Sequence, residues 1–197
     1  MRIWGLTGSI GMGKSTIAAM LRKAGVPVFD ADAEVHRLQG PNGDLLHLIE
    51  ARFPGTAGTT GVDRQKLGAA VFGRQEELKA LEAIVHPAVH RSRKIFLRRY
   101  RSRPIVVLDI PLLFERLPGH PVKNVIVVSA PAWKQRKRVM ARPGMTAAKF
   151  RHILKLQVPD VEKRRRATYV IDTGGTLDKS RVQVRRLLAC LGARTGR

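Results

Sequence analysis

The sequence predicts an α/β fold with a parallel sheet flanked by helices, and three observations lead to this class. Short apolar runs alternate along the chain with stretches of helical periodicity. Runs such as residues 125–128 are continuously apolar, which is typical of strands covered on both faces of a parallel sheet. The first run ends in a glycine-rich turn and continues into a helical stretch, as in a right-handed β-α-β unit.

Five runs are expected to form the strands. They cover residues 2–6, 26–29, 105–110, 122–128 and 169–171. Ligands of such sheets bind beyond the carboxyl ends of the strands. We therefore expect the segments that follow three of these strands to lie at one edge of the sheet. These segments are 8–15, 30–32 and 109–115.

The turn after the first strand matches the pattern G-x-x-x-x-G-K-[ST] of a phosphate-binding loop. Its residues, which we call the phosphate loop, are Gly8, Ser9, Ile10, Gly11, Met12, Gly13, Lys14, Ser15 and Thr16. Glycines let backbone amides surround an anion without Cβ clashes, and the next helix adds the positive end of its dipole. Lys14 is expected to reach the β- and γ-phosphates, and Ser15 to bind Mg²⁺. The sequence therefore predicts a nucleoside-triphosphate site in a P-loop NTPase core.

Length and composition limit the remaining possibilities. The 197 residues, of which 44% are apolar, suffice for one large core and a small additional subdomain. No apolar run approaches the roughly 20 residues of a membrane span, and with a strand predicted from residue 2 we expect no signal peptide. The single cysteine, Cys190, excludes an internal disulfide and is expected to be a small core residue. We expect a soluble cytoplasmic protein without a membrane partner.

The charge is strongly positive, since 37 Lys and Arg residues stand against 15 Asp and Glu residues, a net charge of +22. Such a balance favours anionic partners, either nucleic acid or a highly phosphorylated small molecule. Arg91, Lys94, Arg98 and Arg101 recur at helical spacing and are expected to form one basic stripe. Aromatic residues are few, so base stacking is poorly supported and no specific nucleic acid is expected.

Two helical stretches interrupt the regular alternation of strands and helices. Residues 33–103 are expected to form a helical substrate-binding insertion, interrupted at 40–43 and by a loop at 54–61. Residues 132–166 are helical, basic and broken at 142–144, as in a mobile lid. The nucleotide-binding core then consists of residues 1–32, 104–131 and 167–197.

Polar residues near these elements indicate phosphoryl transfer. Asp32 could accept the proton of an acceptor hydroxyl, or it could cap the helix that follows, and Asp30 is expected to be structural. Asp109 ends a strand and either faces Mg²⁺ or caps the next turn. Arg138 and Arg142 lie one helical turn apart in the lid. Either could be a surface arginine, but at least one of them is expected to neutralise charge on the transferred phosphoryl group.

These segments resemble the dephospho-CoA kinase family. The resemblance rests on residues 5–16, Val28-Phe29-Asp30-Ala31-Asp32, His86-Pro87, Asp109-Ile110-Pro111-Leu112-Leu113-Phe114-Glu115, and Gln135, Arg138, Arg142 and Gln157. The family combines a nucleotide-binding core, a helical substrate domain and a lid. It transfers the γ-phosphate of ATP to the ribose 3′-hydroxyl of dephospho-CoA, the last step of coenzyme A synthesis.

The resemblance implies roles for particular residues of this chain. Asp32 matches the position proposed as the catalytic base, and Lys14, Arg138 and Arg142 complete the expected catalytic set. ATP is the implied co-substrate, with Mg²⁺ held by Ser15 and Asp109. The residues expected to bind dephospho-CoA or shape its pocket are Asp32, His86, Pro111, Leu112 and Leu113. Glu115 is expected to make a polar contact there or to be purely structural.

The chain departs from the family pattern near its last strand. The family usually shows Ala-Asp and then Ile-Asp-Asn, whereas this chain has Ala167-Thr168 and Ile171-Asp172-Thr173. The loop that follows commonly lies near the adenine in the family. The resemblance therefore identifies no adenine-contacting residue here.

Two other functions remain open on the sequence. Another small-metabolite kinase, for example one like adenylate kinase, would share the phosphate loop, although the Pro-Leu-Leu-Phe-Glu segment argues against it. A nucleotide-dependent nucleic-acid-binding protein would account for the charge and would bind with steep salt dependence. A GTP-dependent switch is not favoured, because the sequence contains no Asn-Lys-x-Asp motif.

Overall fold

The computed structural model describes residues 1–116 and 122–192. The chain divides into two compact units. The sheet unit comprises Met1–Phe29 and Tyr100–Arg197, and the helical unit comprises Asp30–Arg99. Residues 193–197, the end of the expected core, lie outside the described residues.

The strands of the described residues form two sheets. They are β1 (Arg2–Thr7), β2 (Val28–Asp30), β3 (Ala57–Gly58), β4 (Gly61–Val62), β5 (Ile105–Asp109), β6 (Asn124–Ser129) and β7 (Tyr169–Asp172). The larger sheet has five strands in the order β2-β5-β1-β6-β7, and these are the five that the sequence predicts. β1 pairs in parallel with β5 and β6, and β6 pairs in parallel with β7. The predicted α/β class with a parallel sheet is confirmed.

The helices of the described residues cover both faces of this sheet and build the helical unit. They are α1 (Lys14–Lys23), α2 (Ala31–Leu38), α3 (Leu46–Arg52), α4 (Arg64–Val71), α5 (Gln75–Arg99), α6 (Leu113–Arg116), α7 (Ala132–Met140), α8 (Ala147–Lys155), α9 (Asp160–Arg165) and α10 (Leu177–Cys190). Within residues 1–116 and 122–192, none of them combines the length and apolar character that crossing a bilayer requires.

Alternation of side chains along the strands produces the two cores of the sheet unit. Leu6, Val107 and Ile126 lie on one face and pack against apolar residues of α1 and α10. Val125 and Val127 point to the other face and pack against α6. Because both faces are covered, the strands are apolar throughout, and this is the pattern that made them visible in the sequence.

The helical unit has its own core, formed by apolar residues of α2, α3 and α4 against α5. Its buried members are Leu38, Leu45, Ile49, Phe53 and Leu67. The loop expected at 54–61 is instead organised around the short antiparallel pair β3 and β4. Strands of two residues are too short to show an alternating pattern, so the sequence gives no sign of them.

The expectation that Cys190 is a core residue is wrong, since its side chain is exposed. On α10 the buried apolar residues are Val184, Leu187 and Leu188, followed by Leu191 just beyond the helix. They recur at intervals of three and four and therefore define one face. Cys190 lies on another face, although its neighbours in the sequence are apolar.

The expected basic stripe is only partly helical. Arg91, Lys94 and Arg98 are exposed on α5, which spans 25 residues and contains Pro87. The helix ends at Arg99, so Arg101 lies beyond it in a turn. The prediction that four residues share one helical stripe is therefore wrong for Arg101.

Candidate active site

The phosphate loop joins β1 to α1, and two of its glycines are required by the backbone. A Cβ atom on Gly8 would lie 2.6 Å from the carbonyl oxygen of Val128. Gly13 has a φ of 89°, a left-handed conformation that favours glycine, and it is the N-cap of α1. No side chain caps this helix, and its first turn contains no acidic residue. The positive end of the helix dipole is therefore left to an anion from outside.

Lys14 and Asp109 form an ion pair at the edge of the sheet. The Lys14 Nζ atom lies 2.5 Å from Asp109 Oδ1, and the aspartate is 2% exposed. Asp109 is the last residue of β5 and pairs in register with Leu6 of β1. Parallel pairing thus brings the end of β5 beside the phosphate loop, as predicted for the carboxyl ends of the strands.

Two glutamines hold the Ile10 residue of the phosphate loop from both sides. Gln135 Nε2 donates to the Ile10 carbonyl oxygen at 2.8 Å. The Ile10 amide donates to Gln157 Oε1 at 3.1 Å. Both glutamines belong to the segment expected to be a lid, so this segment is tied to the phosphate loop near its beginning and its end.

Arg138 is bound to the phosphate loop and to the residue that follows β7. Its Nη2 donates to the Thr173 carbonyl oxygen at 2.8 Å, and its Nη1 donates to Thr173 Oγ1 at 3.0 Å. A longer contact of 3.4 Å joins Nη1 to the carbonyl oxygen of Gly11. Arg142, in contrast, is exposed just beyond the end of α7.

A cavity of about 460 Å³ opens beside these residues. Six residues of the predicted site line it, namely Gly11, Gly13, Ser15, Thr16, Arg138 and Arg142. Further lining residues follow β7, among them Thr173 and the exposed Leu177.

Lys134 lines the cavity as well, and its Nζ donates to the carbonyl oxygens of Gly174 and Gly175 at 2.8 and 3.0 Å. A cavity with three cationic side chains and a helix N-terminus suits a polyanion with an apolar part.

The two aspartates at the end of β2 and the start of α2 have different environments within the helical unit. Asp30 Oδ1 accepts the Ala33 amide at 3.0 Å and is the N-cap of α2. Asp32 lies in the first turn of α2 and is exposed. Because Asp30 already caps the helix, the Asp32 carboxylate is not needed for that purpose and can take part in chemistry.

The segment after β5 is anchored from several sides. Thr7 Oγ1 donates to the Pro111 carbonyl oxygen at 3.0 Å, while Pro111 and Leu112 are half-buried. Leu113 is fully buried in the core, so its side chain supports this segment from below. Glu115 Oε1 accepts the Val158 amide at 3.0 Å and therefore has a structural partner.

His86 is the remaining residue of the predicted site. It is exposed on α5, immediately before Pro87 in the interior of that helix. The histidine is therefore accessible on the surface of the helical unit.

Three residues of this region were not singled out by the sequence as functional. Thr173 and Lys134 contact the cavity and its walls, and Lys163 is buried against Glu115. The position of Thr173 directly after a strand was a usable signal, because ligands gather at strand ends. Lys134 and Lys163 lie in a basic region, where nothing in the sequence distinguishes them from solvent-exposed lysines.

The family model and the curated relatives agree on one family. The family model described as dephospho-CoA kinase matches residues 2–179. A dephospho-CoA kinase of Novosphingobium aromaticivorans is 62% identical over 189 residues, which cover 96% of this chain and 94% of that protein. A crystal structure of a Thermus thermophilus protein is 39% identical, with a TM-score of 0.82 over 96% of this chain and 97% of its own. A dephospho-CoA kinase structure from Campylobacter jejuni has a TM-score of 0.67 with 22% identity, covers 96% and 97% of the two chains, and shows the same fold.

Proposed function

The chain belongs to the dephospho-CoA kinase family, and we propose that it transfers the γ-phosphate of ATP to the ribose 3′-hydroxyl of dephospho-CoA. The observation that carries this proposal is the cavity lined by the phosphate loop, Arg138 and Arg142. It offers backbone amides, cations and a helix N-terminus where a triphosphate has to bind. Membership of this family makes the chain an ATP-dependent kinase, and a cytoplasmic location is our proposal for it.

Binding of the triphosphate relies on groups that the fold holds ready. The amides at the start of α1 and the side chains of Arg138 and Arg142 neutralise phosphate charge. Lys14 pairs with Asp109 and belongs to the phosphate loop, from which it can bind the β- and γ-phosphate oxygens. Because the amides of α1 and the guanidinium of Arg138 are held in place by the fold, these donors need little reorganisation as charge develops on the transferred group.

The residues around the phosphate loop also fit Mg²⁺. Ser15 offers a hydroxyl on the cavity wall, and Asp109 offers a carboxylate at the end of β5. Oxygen ligands of these two kinds, together with substrate phosphates and water, are those that Mg²⁺ takes in kinases. When bound, the ion neutralises charge on the phosphates. We propose Ser15 and Asp109 as the residues that hold it, directly or through water.

Asp32 supplies the base in this proposal. Its carboxylate takes the proton of the ribose 3′-hydroxyl as the oxygen forms a bond to the γ-phosphorus. The bond from the γ-phosphorus to the bridging oxygen breaks, and its electron pair leaves with ADP. The exposed position of Asp32 and the use of Asp30 as the helix cap support this assignment.

We propose that the helical segment 33–103 binds dephospho-CoA, with His86 contacting it and Pro111 and Leu112 shaping the pocket. The core of residues 1–32, 104–131 and 167–197 binds ATP. Within the expected lid, 132–166, the hydrogen bonds of Gln135 and Gln157 to Ile10 restrain two points, and we propose that motion is confined to the exposed stretch 142–144 between them. Gly144 has a φ of 69° and can act as a hinge there.

The test is ADP release with dephospho-CoA as acceptor, next to adenosine, AMP and water. We expect acceleration by dephospho-CoA alone. An analogue that lacks the ribose 3′-hydroxyl must fail as an acceptor, although it is free to bind as an inhibitor. Equal rates with dephospho-CoA and with water would contradict the proposed substrate.

A further inference from the structure

Thr173 joins three parts of the nucleotide site through one hydroxyl group. It is the first residue after β7 and is 5% exposed. Its Oγ1 donates to the Met12 carbonyl oxygen at 2.6 Å and accepts from Arg138 Nη1 at 3.0 Å. The carbonyl oxygen of Ser129 lies farther away, at 3.3 Å. Because a hydroxyl has one proton and two lone pairs, it can serve Met12 as donor and Arg138 as acceptor at the same time.

The bond to Met12 has a consequence for the phosphate loop. In a planar trans peptide, the C=O and N–H groups point in opposite directions. When Thr173 holds the Met12 carbonyl, the N–H group of Gly13 in the same peptide points away from Thr173. Gly13 lines the cavity and precedes α1, where phosphate-binding loops present their amides to the anion.

The hydrogen bonds between Thr173 and Arg138 fix the orientation of the guanidinium group. Thr173 accepts two hydrogen bonds from the guanidinium, one on its hydroxyl and one on its carbonyl oxygen. This planar group cannot rotate without losing both. Arg138 is therefore oriented at the cavity wall by the protein itself, and the Thr173 hydroxyl oxygen is the atom that contacts both the arginine and the phosphate loop.

We propose that Thr173 is a positioning residue that orients the phosphate loop and Arg138 together for binding of the phosphate chain. The proposal rests on the proposed kinase function of the same site. A threonine hydroxyl donates and accepts through one atom, and this atom links Met12 and Arg138.

The matched pair of variants is Thr173→Val and Thr173→Ser in the full-length chain. Valine keeps the shape but removes the hydroxyl, and serine keeps the hydroxyl. The affinities for inorganic tripolyphosphate and ATP are measured by calorimetry. We expect Thr173→Val to weaken both about five- to tenfold, the effect of one hydrogen bond to a charged or loop group. Thr173→Ser should stay within about twofold of the wild type.

The Arg138→Gln background separates positioning from simple stability. If Thr173 acts together with Arg138, Thr173→Val should reduce the affinity for tripolyphosphate less in this background than in the wild type. Melting temperatures of all variants are compared, and Thr173→Ala replaces the valine variant should that one not fold. Wild-type affinity in Thr173→Val, or an equal loss in Thr173→Ser, would overturn the proposal.

Failure of this proposal is distinguishable from failure of the proposed function. Tripolyphosphate binding requires no acceptor, so the comparison of valine with serine is valid whichever acceptor is used. Absence of turnover with dephospho-CoA would contradict the substrate assignment and leave the role of Thr173 standing. If the wild type turns over dephospho-CoA but Thr173→Val leaves both affinities and turnover unchanged, the role of Thr173 would be contradicted and the substrate assignment would stand.

Discussion

The Lys163 Nζ atom lies 2.7 Å from Glu115 Oε1, and the lysine side chain is completely buried. This ion pair joins α9 to α6, the short helix that follows β5. Glu115 also accepts the Val158 amide, just before α9. The end of the expected lid is therefore fixed to the segment that the proposed function assigns to the acceptor pocket.

Lys163→Met should destabilise the protein strongly, because it leaves a buried carboxylate without its cation. Loss of one partner of such a pair costs about 3–5 kcal/mol. The double variant Lys163→Met/Glu115→Gln should be more stable than the single one, since no unpaired charge remains and the glutamine still accepts the Val158 amide. Urea unfolding measures the free energy of unfolding of both variants. The exposed Arg165 on the same helix provides the control, and Arg165→Met should change stability by less than about 0.5 kcal/mol.

An equal loss in the single and double variants would contradict this explanation. In that case the side-chain packing of Lys163, rather than its charge, would be responsible for the stability.

Asp32→Asn should lower turnover by about 10²–10⁴-fold, because the amide cannot accept the proton of the acceptor hydroxyl. Affinity for ATP should change little. The control is the same substitution two residues earlier, Asp30→Asn, since asparagine caps a helix about as well as aspartate. Initial rates and calorimetric ATP binding are compared for the two variants. Equal activity of Asp32→Asn and the wild type would remove Asp32 from the mechanism.

The sequence was informative wherever the structure depends on neighbouring residues. The five strands are visible because both faces of the sheet are buried, and the phosphate loop is visible because its glycines and Lys14 are contiguous. The contacts of Thr173 with Met12 join residues 161 positions apart, so no local pattern predicts them. Lys163 likewise becomes distinct only when the fold removes it from water.

Cys190 shows the opposite error, in which a local pattern misleads. It lies in an apolar run, but α10 turns one face of that run towards solvent. Composition of five consecutive residues cannot assign burial in a helix, because the side chains point in all directions around the axis.

Lys14→Met should reduce turnover by about 10²–10³-fold, because it removes the cation that is proposed to bind the transferred phosphoryl group. It also takes away the lysine that pairs with the buried Asp109. The control is Lys23→Met at the exposed end of the same helix, which should leave turnover unchanged. Steady-state rates of both variants are measured at saturating ATP. Comparable rates for the two variants would count against the phosphate loop as the site of transfer.

Arg142→Gln should lower kcat about 10²-fold if this arginine stabilises the transition state. It is exposed at the cavity and, unlike Arg138, is not hydrogen-bonded to the phosphate loop by any contact found in the described residues. Arg142→Lys should recover only part of the rate, since lysine lacks the planar pair of donors. Arg136→Gln, an exposed position on α7, should behave as the wild type. A rise in KM for ATP with unchanged kcat would instead show that Arg142 binds ATP equally in the ground state and the transition state.

Stability of the helical unit should decrease in acid through Glu50. Its carboxylate accepts the Gly55 and Ala57 amides at 2.6 and 2.7 Å, and these hydrogen bonds lower the pKa of Glu50 from the ordinary value of 4.5. A group whose pKa is lowered by folding binds protons more readily when unfolded, so its stabilisation is present above pH 4.5 and is lost as the pH falls through the lowered pKa. In Glu50→Gln this part of the pH dependence should disappear.

Urea unfolding from neutral pH into acid measures the stability at each pH, with Glu76→Gln at an exposed position as the control. Parallel pH profiles for Glu50→Gln and the wild type would show that these two hydrogen bonds do not favour the charged form, because only a difference in proton binding between the folded and unfolded states produces the slope.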